Sequence, residues 1–469
     1  MSNVNVWDYM GKRVHMVGIG GSSMSGLAQM LHTDGFAVSG SDRDEGYALN
    51  KLRGLGIPVY AGHDPERAAQ ADLLIYSAAI SPQDPERVAA RDQGIPQVER
   101  AELLGQLMRG YRQTACVCGT HGKTTASSML AQILLDAGQD PTIHIGGSLD
   151  YIGGGSRVGG KGVFVAEACE FNRSFLHMPP TIAIITNIEE DHLDCYRDLD
   201  DIESAFQQFV DLLPADGLCV GLADDPRVMR VMQRSGRRYI SFSLTGAADW
   251  TADGLRYDEH GCAAFDALYR GERRGHVTLQ VAGDFNALHA LAALAAAVEL
   301  GVPFEVGSRS LASFVNPHRR FEYTGTVQGM RLYHDYGHNP AEMQSAVGVA
   351  ALQGRRVIAV MQPHTYSRVK GLFEGFLTCT RAADITLVTD IYAAREVDPG
   401  DIHSRMLIEG MRAHGIDAHL TPTFDDTERW LLQNGRDGDL VLTMGCGNIN
   451  LLNDQMQRHW DEQHQPLEG

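Results

Sequence analysis

Short apolar runs recur along the chain, each ending in a glycine-rich or acid-rich turn and followed by a stretch with helical spacing. RVHMV (13–17) reads as a strand, GIGGSSMSGLAQMLHTDG as a glycine turn entering a helix, FAVSGSD as a second strand and DLLIYSAAI as a third. That succession predicts a βαβ unit with a parallel sheet. A second module starts near Tyr111, where TACVCGTHGKTTASSMLAQILLDAG reads as strand, glycine loop and helix. VFVAEACE and TIAIITNIEEDH then have the continuous apolar character of buried parallel strands, with acids and a histidine at their carboxyl ends. From about 218 to 279 polarity rises and periodicity weakens, which predicts an antiparallel excursion before the alanine-rich helix ALHALAALAAAVELG. A third module, from about Arg320, repeats the strand-then-polar-loop pattern in RLYHDYGHNPAEM, RRVIAVMQPHTYSR, DITLVTDIYAARE and DLVLTMGCGN. The expected organisation is three consecutive α/β domains, 1–108, 109–318 and 319–469, without internal repeats or low-complexity linkers.

The bulk numbers agree with that size: 469 residues suit about three domains of ordinary length. Hydrophobic and charged contents of 43% and 21% are those of a globular chain, and no apolar run approaches the ~18 residues of a membrane span. MSNVNVWDYM has neither the basic opening nor the apolar core of a secretory signal, so the expected location is the cytoplasm. The cysteines at 116, 118, 169, 195, 219, 262, 379 and 446 lack metal-site spacing and read as packed thiols. A net charge of −19 disfavours nucleic acid as a partner. It leaves room for an anionic small substrate held by local arginines or a magnesium ion.

Lysine is scarce, with only Lys12, Lys51, Lys123, Lys161 and Lys370, and one of these lies in GTHGKTT. Only two residues separate Gly119 from Gly122, whereas the common P-loop places four between its glycines, with Val117 standing where the first would be. The context of strand, loop and helix nevertheless suits a phosphate cradle at a helix amino terminus. Gly119, Thr120, His121, Gly122 and Thr125 would supply the loop, Lys123 a charge and Thr124 a hydroxyl for magnesium. Magnesium takes hard oxygen ligands, and Glu167 and Glu170 follow one strand while Glu189, Glu190, Asp191, His192 and Asp194 follow the next. The first glycine loop has Gly18 and Gly20 of the dinucleotide pattern, but Ser23 occupies the third glycine position. Asp42 ends the next strand, where an acid would meet a ribose hydroxyl. Alone, that loop suggests an NAD(P) enzyme; beside a separate P-loop it suggests two nucleotides, one consumed and one a handle on the substrate. In the third module His338, His364, Tyr366, Arg368, Tyr392 and Arg395 occupy loops after strands, the usual material of a specificity pocket.

Taken in order, GIGGSSMSGLA, SGSD, GTHGKTT, EACE, TNIEEDHLD, GDFNALHALAA, RRFE, DYGHNP, QPHTYSR and DIYAARE resemble the Mur ligase superfamily. Within it they are similar to the ligases that attach L-alanine to UDP-N-acetylmuramate, GIGG-x-x-MSG being the stretch most specific to them. The short P-loop is that superfamily's own form, and the resemblance implies two Rossmann-like outer domains flanking a central P-loop ATPase domain. The resemblance implies ATP-driven phosphorylation of the lactyl carboxylate, attack by the amine of L-alanine on the acyl phosphate, and release of ADP and phosphate. It implies UDP-sugar binding by Gly18, Gly20, Gly21, Ser22, Ser23, Asp42 and Ser77, and magnesium ligation by Thr124, Glu167 and His192, with Glu170 assisting. Asn286 and His289 would lie in the adenine-contacting helix, while Arg320 and Asp335 would reach ATP from the third domain, whose closure completes the site. His338, His364, Tyr366, Arg368, Tyr392 and Arg395 would surround the amino acid and the acyl phosphate.

The chain departs from the superfamily pattern in NALH for N-x-x-N, in EACE for EADE, and at His334 and Asn339, places often filled by aspartate and histidine. A carbamylated lysine, used by sister ligases, has no candidate between Lys161 and Lys370. A sister ligase adding a preformed peptide, and a nucleotide-binding regulator without catalysis, stay open as alternatives. So does the choice between monomer and homodimer.

Overall fold

The computed structural model describes residues 4–191, 195–258, 260–394 and 396–464. The chain forms two compact units, one of Met1–Leu255, Phe265–Thr278 and Phe285–Phe314, the other of Arg256–Ala264, Leu279–Asp284 and Val315–Gly469.

In the first unit a five-stranded sheet has the spatial order Val59–Ala61, Ala37–Asp42, Arg13–Val17, Leu73–Tyr76, Gln97–Glu99. All its pairings are parallel. The sequence reading found the three central strands; the two edge strands are three residues each, too short to show any alternation. Strand order reverses between Arg13–Val17 and Leu73–Tyr76, and such a switch point opens a crevice at the strand carboxyl ends. Residues 18–23 and Ser77 follow those two strands directly.

A ten-stranded sheet follows, with Gln113–Cys118 between Val163–Glu167 and Ile182–Ile185, parallel to both. These strands are covered on both faces: Cys116, Cys118, Phe164, Ala183 and Ile185 are buried on one and Ala115, Val117, Val165 and Ile184 on the other, and the helix Lys123–Asp136 packs back over the sheet. Burying a side chain such as Phe164 contributes about 2–3 kcal/mol. The apolar core runs without interruption from Met16 and Ile75 of the first sheet and Leu27 of the helix Ser22–Thr33 to Phe164 of the second sheet and Phe206 and Met232 of helices that pack with it.

The expected antiparallel excursion is corrected in part. Leu218–Leu222 and Arg238–Ser243 extend the parallel sheet, and Trp250–Tyr257 joins it in the same sense. The rise in polarity comes from the crossover helix Pro226–Arg234, which buries Val228, Val231 and Met232. Its arginines 227, 230 and 234 face the single carboxylate of Glu203. The antiparallel part follows: Trp250–Tyr257, Cys262–Tyr269 and Glu272–Ala282 are successive neighbours in the sheet, the last two joined through Arg270 and Gly271 at φ 51° and 82°.

The second unit is built on a six-stranded sheet in the order Glu322–Val327, Met330–Asp335, Leu440–Met444, Val357–Met361, Ile385–Val388, Ala418–Leu420. Its first pair is antiparallel and the others are parallel. The loops after Met330–Asp335 and Val357–Met361 leave the same end of the sheet, because these strands run parallel on either side of Leu440–Met444.

Candidate active site

The loop of residues 119–122 is clamped by the end of the neighbouring strand. Asn187 accepts from the His121 amide at 2.8 Å through Oδ1 and from the Thr120 amide at 3.1 Å through its carbonyl. Thr186 Oγ1 donates to the His121 carbonyl at 2.5 Å. Side chains at either glycine would break this packing: a Cβ on Gly119 would lie 1.9 Å from Thr186 Oγ1, and one on Gly122 2.0 Å from His289 Nε2. Gly122 also has φ +81°, a left-handed conformation that only glycine adopts without cost. These two contacts hold both positions to glycine.

Lys123 opens the helix. Its ammonium donates to the Gly119 carbonyl at 2.6 Å, the Thr120 carbonyl at 2.9 Å and Glu170 Oε1 at 2.8 Å. Burial alone would lower the lysine pKa, but the carboxylate of Glu170, with Cys169 and Glu167, outweighs it and holds the group protonated. Thr124 Oγ1 donates to Glu167 Oε2 at 2.9 Å, and the Gly146 amide donates to the same oxygen at 2.8 Å. Register places Glu167 opposite Val117, beside the start of the loop. A hydroxyl and a carboxylate oxygen thus converge next to the lysine, a donor set of the hard-oxygen kind that fits magnesium. Asp191 is buried nearby in sequence; His192 lies outside the described residues. Asn286 and His289, at 2% and 6% exposure, stand one turn apart on the helix Asp284–Glu299, with His289 packed on Gly122.

At the switch point of the first sheet, Gly18 (φ +74°) turns the chain and Gly21 caps the helix Ser22–Thr33. Asp42 Oδ2 accepts from the Gly20 amide at 2.9 Å, so this acid shapes the loop itself. Ser77 caps the short turn leading to Ile80, which packs against Gly18. Ser23 does not merely replace a glycine: its hydroxyl bonds His144 Nε2 at 2.8 Å and accepts from Arg100 at 3.3 Å. A cavity of about 390 Å³ is lined by Gly20, Ser22, Tyr47, Lys51 and the glycine-rich hairpin of residues 145–156. Sequence reasoning missed that second wall, although the run IGGSLDYIGGGS advertised a close backbone approach.

In the second unit, His364 stacks on Tyr392 with ring centroids 5.6 Å apart, and His338 lies 6.3 Å from His364. Arg368 donates to His364 Nδ1 at 3.1 Å. A guanidinium can only donate, so His364 is neutral with its proton on Nε2, and burial together with the Arg368 and His338 charges lowers its pKa to about 4. Tyr366 begins the helix that carries Arg368, and Arg395 lies outside the described residues.

Asp335 accepts from the Gly337 amide at 2.7 Å and the Phe321 amide at 2.9 Å. Burial raises its pKa against the opposing pull of Arg320 and these amides. The two arginines of RRFE have different surroundings. Arg319, at φ +65°, turns inward to the carbonyls of Gly445 and Gly447 and to His334 Nε2, at 3.2, 3.0 and 3.1 Å. Arg320 lies over the Tyr336 ring, 5.2 Å from its centroid.

Three family descriptions match consecutive parts of the chain: Mur ligase family, catalytic domain, over residues 13–112; Mur ligase middle domain over 117–297; and Mur ligase, glutamate ligase domain, over 319–447. A protein of Acetivibrio thermocellus named UDP-N-acetylmuramate–L-alanine ligase is 44% identical over 441 residues, covering 93% of this chain and 94% of that protein. Among solved structures, the UDP-N-acetylmuramate–alanine ligase MurC of Thermotoga maritima superposes with a TM-score of 0.80 at 25% identity, covering 96% of this chain and 100% of that one. A murein peptide ligase of Psychrobacter arcticus shares the fold, with a TM-score of 0.72 at 23% identity, covering 96% of this chain and 98% of that one.

Proposed function

Because the chain belongs to the Mur ligase family, we propose that it joins L-alanine to the lactyl carboxylate of UDP-N-acetylmuramate at the expense of ATP. The observation that carries this reading is the pairing, in one unit, of two nucleotide loops of different build. The 18–23 loop sits at a switch point and the 119–122 loop is backed by Lys123, Thr124 and Glu167. An oxidoreductase would need only the first. In this reading residues 1–108 hold the UDP-sugar, 109–318 hold ATP, and 319–469 receive the amino acid.

A carboxylate is a poor electrophile because its oxygen is a poor leaving group. Transfer of the γ-phosphoryl of ATP to that oxygen releases ADP and leaves an acyl phosphate. The amine of L-alanine then forms the C–N bond, phosphate departs with the C–O electron pair, and the amine gives up a proton to the surrounding water or a nearby base. Lys123, kept protonated by its carboxylate neighbours, balances charge on the transferred group. Thr124 and Glu167, with His192, would hold magnesium, which supplies further charge neutralisation at the phosphates. His364, fixed as an Nε2–H donor by Arg368, and Arg368 itself suit an anionic acyl phosphate; His338, Tyr366, Tyr392 and Arg395 would shape the amino-acid pocket. No helix among the described residues is long and apolar enough to cross a membrane, and the expected workplace is the cytoplasm, where ATP is available.

The test is ADP release by the full chain with magnesium, ATP and UDP-N-acetylmuramate, offering L-alanine, glycine, L-serine and the cell-wall tripeptide in turn. Release that depends on L-alanine and yields the matching amide is expected. Preference for the tripeptide would move the protein to the peptide-adding activity.

A further inference from the structure

His144 belongs to none of the groups assigned above. It sits on the strand Thr142–Leu149 at 5% exposure, and both of its ring nitrogens face hydroxyls. Nε2 meets Ser23 on the helix of the first glycine loop at 2.8 Å; Nδ1 meets Ser156 on the adjacent strand at 3.1 Å. Arg100 donates to Ser23 Oγ as well, and burial together with the Arg100 charge lowers the ring's pKa to about 3, so it is neutral, with one nitrogen a donor and the other an acceptor.

The close approach that makes these bonds possible is built in one turn further along the helix. A Cβ on Gly26 would lie 2.1 Å from Ser156 Oγ and 3.3 Å from His144 Nδ1, so glycine alone lets this helix face settle on the hairpin. Ser23 and Gly26, three residues apart, share that face. Two residues beyond His144, on the same side of its strand, the Gly146 amide donates to Glu167 Oε2, which also accepts from Thr124 Oγ1. A continuous path of short contacts thus leads from the 18–23 loop through His144 and its strand to the Glu167–Thr124 pair. Ser22 and Ser25, on either side of Ser23, line the 390 Å³ cavity together with Gly146 and Ser156.

We propose that His144 is a positioning residue: it fixes the first glycine loop against the central sheet, so that the grip on the sugar nucleotide depends on a bond made by the strand that also supports Glu167. The inference rests on the assignment of the 18–23 loop to the UDP-sugar.

The two bonds can be cut separately. In His144→Asn the amide reaches Ser156 but falls short of Ser23; in His144→Gln it extends toward Ser23. Calorimetric titration of the full chain with UDP and with UDP-N-acetylmuramate, without ATP or magnesium, is the first readout. KM values for UDP-N-acetylmuramate and ATP are the second. His144→Asn should weaken sugar-nucleotide binding by about fivefold or more, the effect of one lost buried hydrogen bond, with the KM for ATP changed less than about twofold. His144→Gln should lie closer to the parent. Equal losses in both variants, or loss of thermal stability with binding untouched, would make His144 a packing residue and overturn the proposal. Should neither variant fold, Ser23→Ala cuts the same bond from the other side, and unchanged affinity there overturns it equally. A parent chain that binds neither UDP nor UDP-N-acetylmuramate would sink the assignment of the loop; a parent that binds them while the variants are indifferent would sink only the role of His144.

Discussion

Replacing Lys123 with methionine separates what this residue does for stability from what it does for the reaction. In the folded chain its ammonium holds Glu170 Oε1 at 2.8 Å, with side-chain exposures of 12% and 3%, and closes the loop through two carbonyls. Removing one partner of so buried a pair leaves a carboxylate without its cation and costs about 3–5 kcal/mol, whereas removing both charges is close to neutral. Lys123→Met should therefore lower the unfolding free energy by about 3–5 kcal/mol, and Lys123→Met/Glu170→Gln should recover all but about 1 kcal/mol. Activity should not follow. Losing a charge aimed at the transferred phosphoryl costs about 10²–10³ in kcat, and neutralising Glu170 cannot restore it. Urea unfolding and ADP release, measured on the parent and both variants, decide the matter. An unfolding curve for Lys123→Met that matches the parent would refute the buried-pair argument. ADP release within tenfold of the parent would refute the phosphate role.

Gly122→Ala forces a Cβ to within 2.0 Å of His289 Nε2 in a left-handed backbone conformation that costs about 1–2 kcal/mol by itself, so the KM for ATP should rise about tenfold or more, and His289→Ala on top should relieve part of it. Asp42→Ala removes the acceptor of the Gly20 amide; calorimetry should show UDP-sugar binding weakened by about tenfold while ATP binding survives, and joint loss of both would count against separate sites. His334 has its folded pKa lowered to about 3 by burial and the Arg319 charge, against about 6.5 when unfolded. Only the unfolded chain then takes up this proton between those values, so its contribution is intact above about pH 6.5 and falls by about 1.4 kcal/mol per pH unit below it. Urea midpoints compared at pH 7 and 5.5 should fall less in His334→Asn than in the parent, and parallel losses would show that His334 is not the group responsible.

The P-loop was legible because its chemistry is local: strand, two glycines, lysine and threonine follow one another within a few residues. Glu167 was legible for a related reason, since a strand-end acid in a parallel sheet falls beside the neighbouring strand's end, here opposite Val117. The opposite wall of the cavity beside the first glycine loop was not, because residues 145–156 reach that loop through pairing with Val163–Glu167 and through the absence of a Cβ at Gly26. Neither leaves a periodic trace. The strand reading failed where exposed charge outweighed burial: the arginines of Pro226–Arg234 made a crossover helix look like the start of an irregular region. His192 and Arg395 fall outside the described residues.

The departures from the family pattern share a property that bears on whether this chain works as a ligase or merely keeps the fold of one. A site released from selection for catalysis would be expected to lose the partners of its unusual residues. Here each has one. His289 closes over Gly122, the position where any side chain would push it away. His334 accepts from Arg319 through Nε2 and donates through Nδ1–H to the Thr443 hydroxyl, which in turn donates to the Tyr333 carbonyl. Aspartate at 334 would pair with Arg319 as an ion; the neutral ring holds the same guanidinium by a hydrogen bond and leaves its charge uncompensated at that point. With Arg319 tied to the Gly445 and Gly447 carbonyls, Arg320 is the member of the pair that stays beside Asp335 and Tyr336. The substitution at 334 thus changes how the loop is fixed while keeping both arginines in place, which is the pattern of an adapted site.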